Sequence, residues 1–112
     1  MKYTASWRNQ TIAEADESEI LILEGNVYYP KSSVNTDFLK GSDLHTTCPW
    51  KGVASYYSIE VNGELNENSA WYYPEPKNGS EEVVSEQNNG KYEGDFSSFV
   101  TFWNGVVVSE TE

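Results

Sequence analysis

The sequence is poor in the residues that hold metals and form covalent links. It has one cysteine, one histidine and one methionine among 112 residues. A single thiol excludes an internal disulfide and suits a reducing compartment. A structural zinc site asks for four Cys or His ligands. This chain offers two and would need carboxylates such as Glu24 to complete the set, so no metal site is assigned. No apolar run approaches the roughly 20 residues that span a bilayer. The opening Met1-Lys2-Tyr3-Thr4-Ala5-Ser6-Trp7 lacks the apolar core of a signal peptide, so the expected location is the cytoplasm. Positive charge is scarce as well: seven Lys and Arg face 18 Asp and Glu, for a net charge of −11. Without a basic cluster to neutralise phosphates, nucleic acid is excluded as a main partner. An anionic membrane surface is excluded for the same reason. The acidic excess reads first as a device for solubility.

Aromatic residues are plentiful. Eight Tyr, four Trp and four Phe make ring packing the main source of core stability. A chain of this length is expected to form one domain over residues 1–112, with one core of ordinary size.

The periodic segments are strand-like. Glu19 to Pro30 reads as one strand with apolar residues on both faces, bent or bulged at Gly25 and stopped by Pro30. From Gly52 to Val61 the pattern alternates, with Tyr57, Ile59 and Val61 on one face and Tyr56, Ser58 and Glu60 on the other. Asn62-Gly63 then signals a type I′ hairpin turn. The return strand includes Ala70-Trp71-Tyr72-Tyr73 and ends at Pro74-Glu75-Pro76. The segments 6–14 and 102–110 both read as strand, tight turn, strand, the second about Asn104-Gly105. Helix is restricted to two short candidates, Ser33 to Gly41 and Ser80 to Gln87, and Asn88 to Asp95 reads as loop. The pattern predicts a mainly β fold, a single antiparallel β domain with one or two short helices.

One segment concentrates the scarce residues. His45-Thr46-Thr47-Cys48-Pro49-Trp50-Lys51-Gly52 holds the only His, the only Cys, one of four Trp and one of seven basic residues. Pro49 stiffens the backbone and extends Cys48, and Gly52 permits a sharp turn. The segment therefore reads as a rigid loop entering the strand at Gly52, the kind of place where sites sit. Cys48 is a candidate nucleophile, with Lys51 or protonated His45 lowering its pKa. Residues three apart on an extended chain point to opposite faces, so His45 and Cys48 meet only if the loop curls. A buried, inert thiol is the competing reading. Lys51 either faces a pocket and binds an anion or pairs with a surface acid. Trp50 is either core or a platform for a ligand. Glu24-Gly25-Asn26 breaks an apolar strand with polar groups, and a carboxylate there needs a partner or water. Lys51 or His45 is the expected partner of Glu24, unless Glu24 only marks a strand leaving the core. Trp71 and Tyr73 share one face and Tyr72 the other, so one set can wall a cleft.

Several blocks together resemble one known family. They are Glu24-Gly25-Asn26-Val27-Tyr28-Tyr29-Pro30, the run from Ser42 to Gly52, Ala54-Ser55-Tyr56-Tyr57, and Ala70-Trp71-Tyr72-Tyr73-Pro74-Glu75-Pro76. In this order and spacing they are similar to the family named domain of unknown function 427, over Trp7 to Pro76 and again over Ser98 to Val108. The resemblance implies a small β-rich domain related to Mss4-like, tent-shaped β folds, and it implies no activity. Some relatives of that fold bind zinc through two Cys-x-x-Cys pairs. Those pairs are absent here, so no zinc role carries over. The tract 77–97 departs from the family pattern as a longer, more acidic insertion.

The candidate binding residues are Glu24, Asn26, His45, Trp50, Lys51, Tyr57, Trp71 and Tyr73. His45, as general acid or base, and Cys48 are the candidate catalytic residues. The implied ligand carries an anionic or carbonyl group for Lys51 and a flat apolar part for the rings. No cofactor signature is readable, and the sequence does not fix an oligomeric state. The competing reading is a protein-interaction domain in which the central segment is purely structural.

Overall fold

Two-residue turns shape much of the molecule. The computed structural model describes residues 1–88 and 96–111. Arg8-Asn9, Glu24-Gly25 and Asn62-Gly63 each have both residues at positive φ, between 51° and 82°. That is the type I′ geometry whose twist matches a hairpin. These turns join β1 (Lys2–Trp7) to β2 (Gln10–Asp16), β3 (Leu21–Leu23) to β4 (Asn26–Pro30), and β6 (Gly52–Val61) to β7 (Glu64–Tyr72). The run expected as one strand from Glu19 to Pro30 is thus a hairpin folded at Glu24-Gly25, rather than a strand bent there.

The remaining elements are β5 (Leu39–Cys48), α1 (Ser80–Gln87), β8 (Phe99–Phe102) and β9 (Val107–Thr111). All pairings are antiparallel. One sheet has the order β2-β1-β9 and the other β3-β4-β8-β7-β6-β5. The mainly β class and the helix at Ser80–Gln87 are as the sequence predicts. The helix expected over 33–41 is not formed. Two 3-10 turns, Lys31–Ser33 and Thr36–Phe38, take its place, and the chain is already strand from Leu39. Val34, between the turns, bridges to Ala13 and is buried against the inter-sheet core. Burying that side chain outweighs a weak helical propensity. The loop expected over 88–95 lies, from residue 89 onward, outside the described residues.

Asn104-Gly105 does form a tight turn, with φ of 55° and 92° and the Val106 amide 3.3 Å from the Trp103 carbonyl. It does not close a hairpin, because β8 belongs to the large sheet and β9 to the small one. Trp103 is pinned to β7, its amide donating to Ser69 O at 2.9 Å and its indole N–H to Asn68 O at 2.6 Å. The chain turns there and crosses to pair with β1.

The large sheet separates two cores. One face packs on the small sheet through Tyr29, Ile59, Ala70, Val100 and Phe102 against Ala5, Ile12 and Ala13. The other face gathers Leu21, Leu23, Tyr28, Ala54, Tyr73 and Phe99 with Phe96 and Val84 of α1. Consecutive residues alternate between the cores as a strand requires. Tyr28 and Tyr29 part company in this way, as do Trp71 and Tyr72. Among the described residues no helix is long and apolar enough to cross a membrane.

Candidate functional site

His45, Thr46, Thr47 and Cys48 are the last residues of β5 and pair in register with Ser55, Ala54, Val53 and Gly52. Only Pro49-Trp50-Lys51 is a turn. Gly52 holds φ +110°, and a Cβ there would lie 3.2 Å from the Glu75 carbonyl. The chain after β7 clamps the turn from outside. The Lys77 amide donates to Lys51 O and the Lys77 ammonium to Pro49 O, both at 2.9 Å. With its backbone fixed, Lys51 sends its side chain inward.

Lys51 is 5% exposed. Its Nζ lies 2.6 Å from Glu24 Oε1 and 3.5 Å from the Tyr28 hydroxyl. Three rings surround it, with centroids 5.1 Å away for Trp50, 5.1 Å for Tyr73 and 5.9 Å for Tyr28. Ring faces carry negative potential, so the cage is electrostatically matched to an ammonium. Burial alone would push the Lys51 pKa down. The hydrogen bond to Glu24, the nearby phenols of Tyr28 and Tyr73 and the Glu24 charge reverse that, holding it above the ordinary lysine value. Lys51 is therefore held as a cation at neutral pH. Burial pushes the Tyr28 phenol up to about 12, against the lowering effect of Lys51. Tyr73 is raised for the same reason. Both stay neutral and act as dipoles and ring faces.

Glu24 occupies the first turn position of the β3–β4 hairpin, at φ 53°. Its side chain is 49% exposed, and its amide donates to Gln87 Oε1 at 2.9 Å. The pair with Lys51 is thus one buried charge closed over by one that reaches water. Asn26 follows on the face of β4 that also carries Tyr28. Trp71 and the half-buried Trp50 belong to the same core as Tyr73.

The predicted residues divide between the two faces of the sheet. Glu24, Trp50, Lys51, Trp71 and Tyr73 come together, with Cys48 at the margin, and Asn26 shares that face of the sheet opposite Leu23. His45 and Tyr57 do not join them. Directly opposed residues share a face, and His45 opposes Ser55, so its imidazole lies on the side of Tyr57 and Tyr72. Tyr57 stacks on Tyr72 instead of walling the Lys51 cage. The structure therefore corrects the single pocket that combined His45 and Tyr57 with Lys51. It also separates the proposed pair of His45 and Cys48, because the segment stays extended instead of curling.

One residue of the cage, Tyr28, and one neighbour of its Trp71 side, Tyr56, are absent from the candidates that the sequence offers. Tyr28 supplies a ring and a hydroxyl. Tyr56 packs on Trp71 at 6.2 Å and bonds Thr46 Oγ1 at 3.0 Å. Strand alternation alone marks them: Tyr28 shares parity with Asn26, and Tyr56 opposes Trp71. A cavity of about 580 Å3 lies elsewhere, bordered by Tyr3, Glu17, Glu19, Ile20 and Phe99, and none of the predicted residues lines it.

Comparison with curated proteins finds no match to this chain. The family model described as domain of unknown function (DUF427) matches residues 2–87, and the chain belongs to that family.

Proposed function

We propose that the Lys51 cage is the polar end of a small-molecule binding site. The ligand presents an anionic or carbonyl oxygen to the ammonium in the place now held by the Glu24 carboxylate. Its flat apolar part lies against Trp50 and Trp71. The observation that carries this reading is the buried ammonium at 2.6 Å from a half-exposed carboxylate, under three rings. A purely structural link is made at lower cost by apolar side chains, because desolvating a charge opposes folding. A carboxylate that reaches water can swing away and leave a preformed cation for an incoming oxygen. The site is read as a binding module: Lys51 holds its proton, the two phenols hold theirs, and His45 stands on the other face of the sheet.

The test is thermal stabilisation by a panel of small molecules that join a carboxylate, phosphate or carbonyl to a flat ring. A hit is expected to stabilise the wild type, to stabilise Glu24→Gln more strongly, and to lose its effect on Lys51→Met. The reading fails if no member shifts either the wild type or Glu24→Gln.

A second reading, a protein-interaction domain with a structural cage, draws on the exposed apolar residues Trp103 at 51%, Leu65 at 50% and Val107 at 60%. It expects Trp103→Ser to abolish capture of a partner protein that Lys51→Met still captures.

A further inference from the structure

The face of the large sheet opposite the Lys51 cage carries a second polar cluster. His45, Ser55 and Tyr72 stand side by side on one rung of β5, β6 and β7. His45 Nδ1 lies 3.3 Å from Ser55 Oγ. The Tyr72 phenol adjoins Ser55 and Tyr57, and its pKa stands above the ordinary tyrosine value through burial first and Tyr57 second. The rings of Tyr57 and Tyr72 stack at 4.8 Å, tilted by only 18°. The Lys31 ammonium sits over the Tyr57 ring, 5.8 Å from its centroid. Register dictates this arrangement, because opposed residues on adjacent strands are neighbours on one face. His45 and Lys31 are exposed, and Ser55, Tyr57 and Tyr72 are half-buried.

Charge pairing makes the cluster unusual within this molecule. With 18 acidic residues against seven basic ones, a lysine has many carboxylates available. Lys2, Arg8, Lys40 and Lys51 each take one, pairing with Glu14, Glu64, Glu60 and Glu24. Lys77 donates to a backbone carbonyl. Among the described residues, Lys31 and His45 are the Lys, Arg and His side chains without a carboxylate or carbonyl partner, and both belong to this cluster. Beside them are the hydroxyls of Ser55, Tyr57 and Tyr72, which can turn towards an anion in place of their present neighbours.

We propose that Lys31, His45, Ser55, Tyr57 and Tyr72 form an anion site that receives the oxyanion group of a small metabolite. A phosphate monoester and a carboxylate share the required chemistry: negative oxygens that accept charge-assisted and hydroxyl hydrogen bonds. The site is independent of the Lys51 cage, being on the other face of the sheet.

A single histidine makes the test direct, since the full chain has one set of imidazole NMR signals. The chain is titrated with inorganic phosphate, and separately with acetate, at constant pH and ionic strength. Saturable movement of the His45 signals is expected with at least one of them, and the anion that saturates at lower concentration identifies the oxyanion class. Lys31→Gln is expected to weaken that binding about tenfold or more, the scale of one lost hydrogen bond to a charged group. Ser55→Ala weakens it less. Lys51→Met leaves it unchanged, which separates this proposal from the cage. Lys31 is exposed, so its variant is expected to fold, and an unchanged circular dichroism spectrum verifies that. Absence of a saturable shift with both anions overturns the proposal, and so does a shift that Lys31→Gln does not weaken.

Discussion

His45 and Cys48 stand three residues apart on β5 and face opposite sides of the six-stranded sheet. Cys48 opposes Gly52 and borders the core that holds Tyr28 and Tyr73, whereas His45 opposes Ser55 and bonds it. One strand end therefore borders the core of the buried Lys51 cation on one face and presents an exposed imidazole on the other.

The imidazole on the far face is in no position to set the reactivity of the thiol. His45→Ala is expected to leave the alkylation rate of Cys48 by iodoacetamide within about twofold of wild type at neutral pH, since thiolate activation needs a nearby cation or base. A tenfold loss would mean that the two side chains meet.

The Glu24–Lys51 pair is lopsided, and its two halves should not be equally costly to remove. The ammonium is 6% exposed and the carboxylate 49%. Glu24→Gln leaves a buried charge with rings and one phenol for company, and the expected loss is about 2–4 kcal/mol. Lys51→Met keeps an apolar stem in the cage and frees a carboxylate that already reaches water. Its expected cost is about 1 kcal/mol or less. Urea denaturation of both variants measures the difference, and equal losses would contradict a cage that isolates Lys51 from solvent.

Alkaline stability follows from the same groups. Folding raises the pKa of Lys51 above the ordinary lysine value of 10.5, and raises Tyr28 and Tyr29 from 10.0 to about 12. In each case the folded chain keeps a proton that the unfolded chain releases. The stabilisation is complete below about pH 10 and is lost as pH rises through the folded values. The melting temperature is expected to fall steeply between about pH 10 and 12, and Tyr28→Phe should flatten that slope. A slope unchanged by Tyr28→Phe would show that this phenol is not held out of water.

Much of this arrangement is legible in the sequence, and the part that is not has a common cause. The alternation of Tyr56 with Tyr57, and of Trp71 with Tyr72, is read correctly because a strand has a period of two. The sequence narrows the partner of Glu24 to Lys51 or His45 without choosing, and the structure takes Lys51. Sequence reading fails where tertiary register decides. Whether Gly25 bends a strand or closes a hairpin depends on where β4 finds β8 and β3 finds α1. Whether His45 joins Lys51 depends on the segment staying extended up to Cys48. The turn at Asn104-Gly105 has clear local chemistry, yet the anchoring of Trp103 on Asn68 and Ser69 sends the next strand into the other sheet. No local pattern records that choice.

The hairpin that carries Glu24 lies at a sheet edge, and a side chain clasps it. β3 is the outermost strand of the large sheet, so the Ile22 amide and carbonyl face outward. Asn88 meets both, accepting from the Ile22 amide at 2.8 Å and donating to the Ile22 carbonyl at 3.1 Å, while also donating to Val84 O at 2.9 Å. One amide side chain thus imitates a neighbouring strand and shields an edge that would otherwise invite pairing with another chain. At the opposite edge, β5 is protected differently, by an irregularity between Gly41 and His45 that breaks its register. Asn88→Ala removes three hydrogen bonds and is expected to cost about 2–3 kcal/mol. It should also raise light scattering on mild heating, well below the melting temperature, because the bared edge can pair between molecules. Asn88→Asp is the sharper variant. It keeps the acceptor for the Ile22 amide but turns the donor into a second acceptor facing the Ile22 carbonyl, so it should be no more stable than alanine. If the aspartate variant matches wild type in both stability and scattering, the two-way clasp is not what protects this edge.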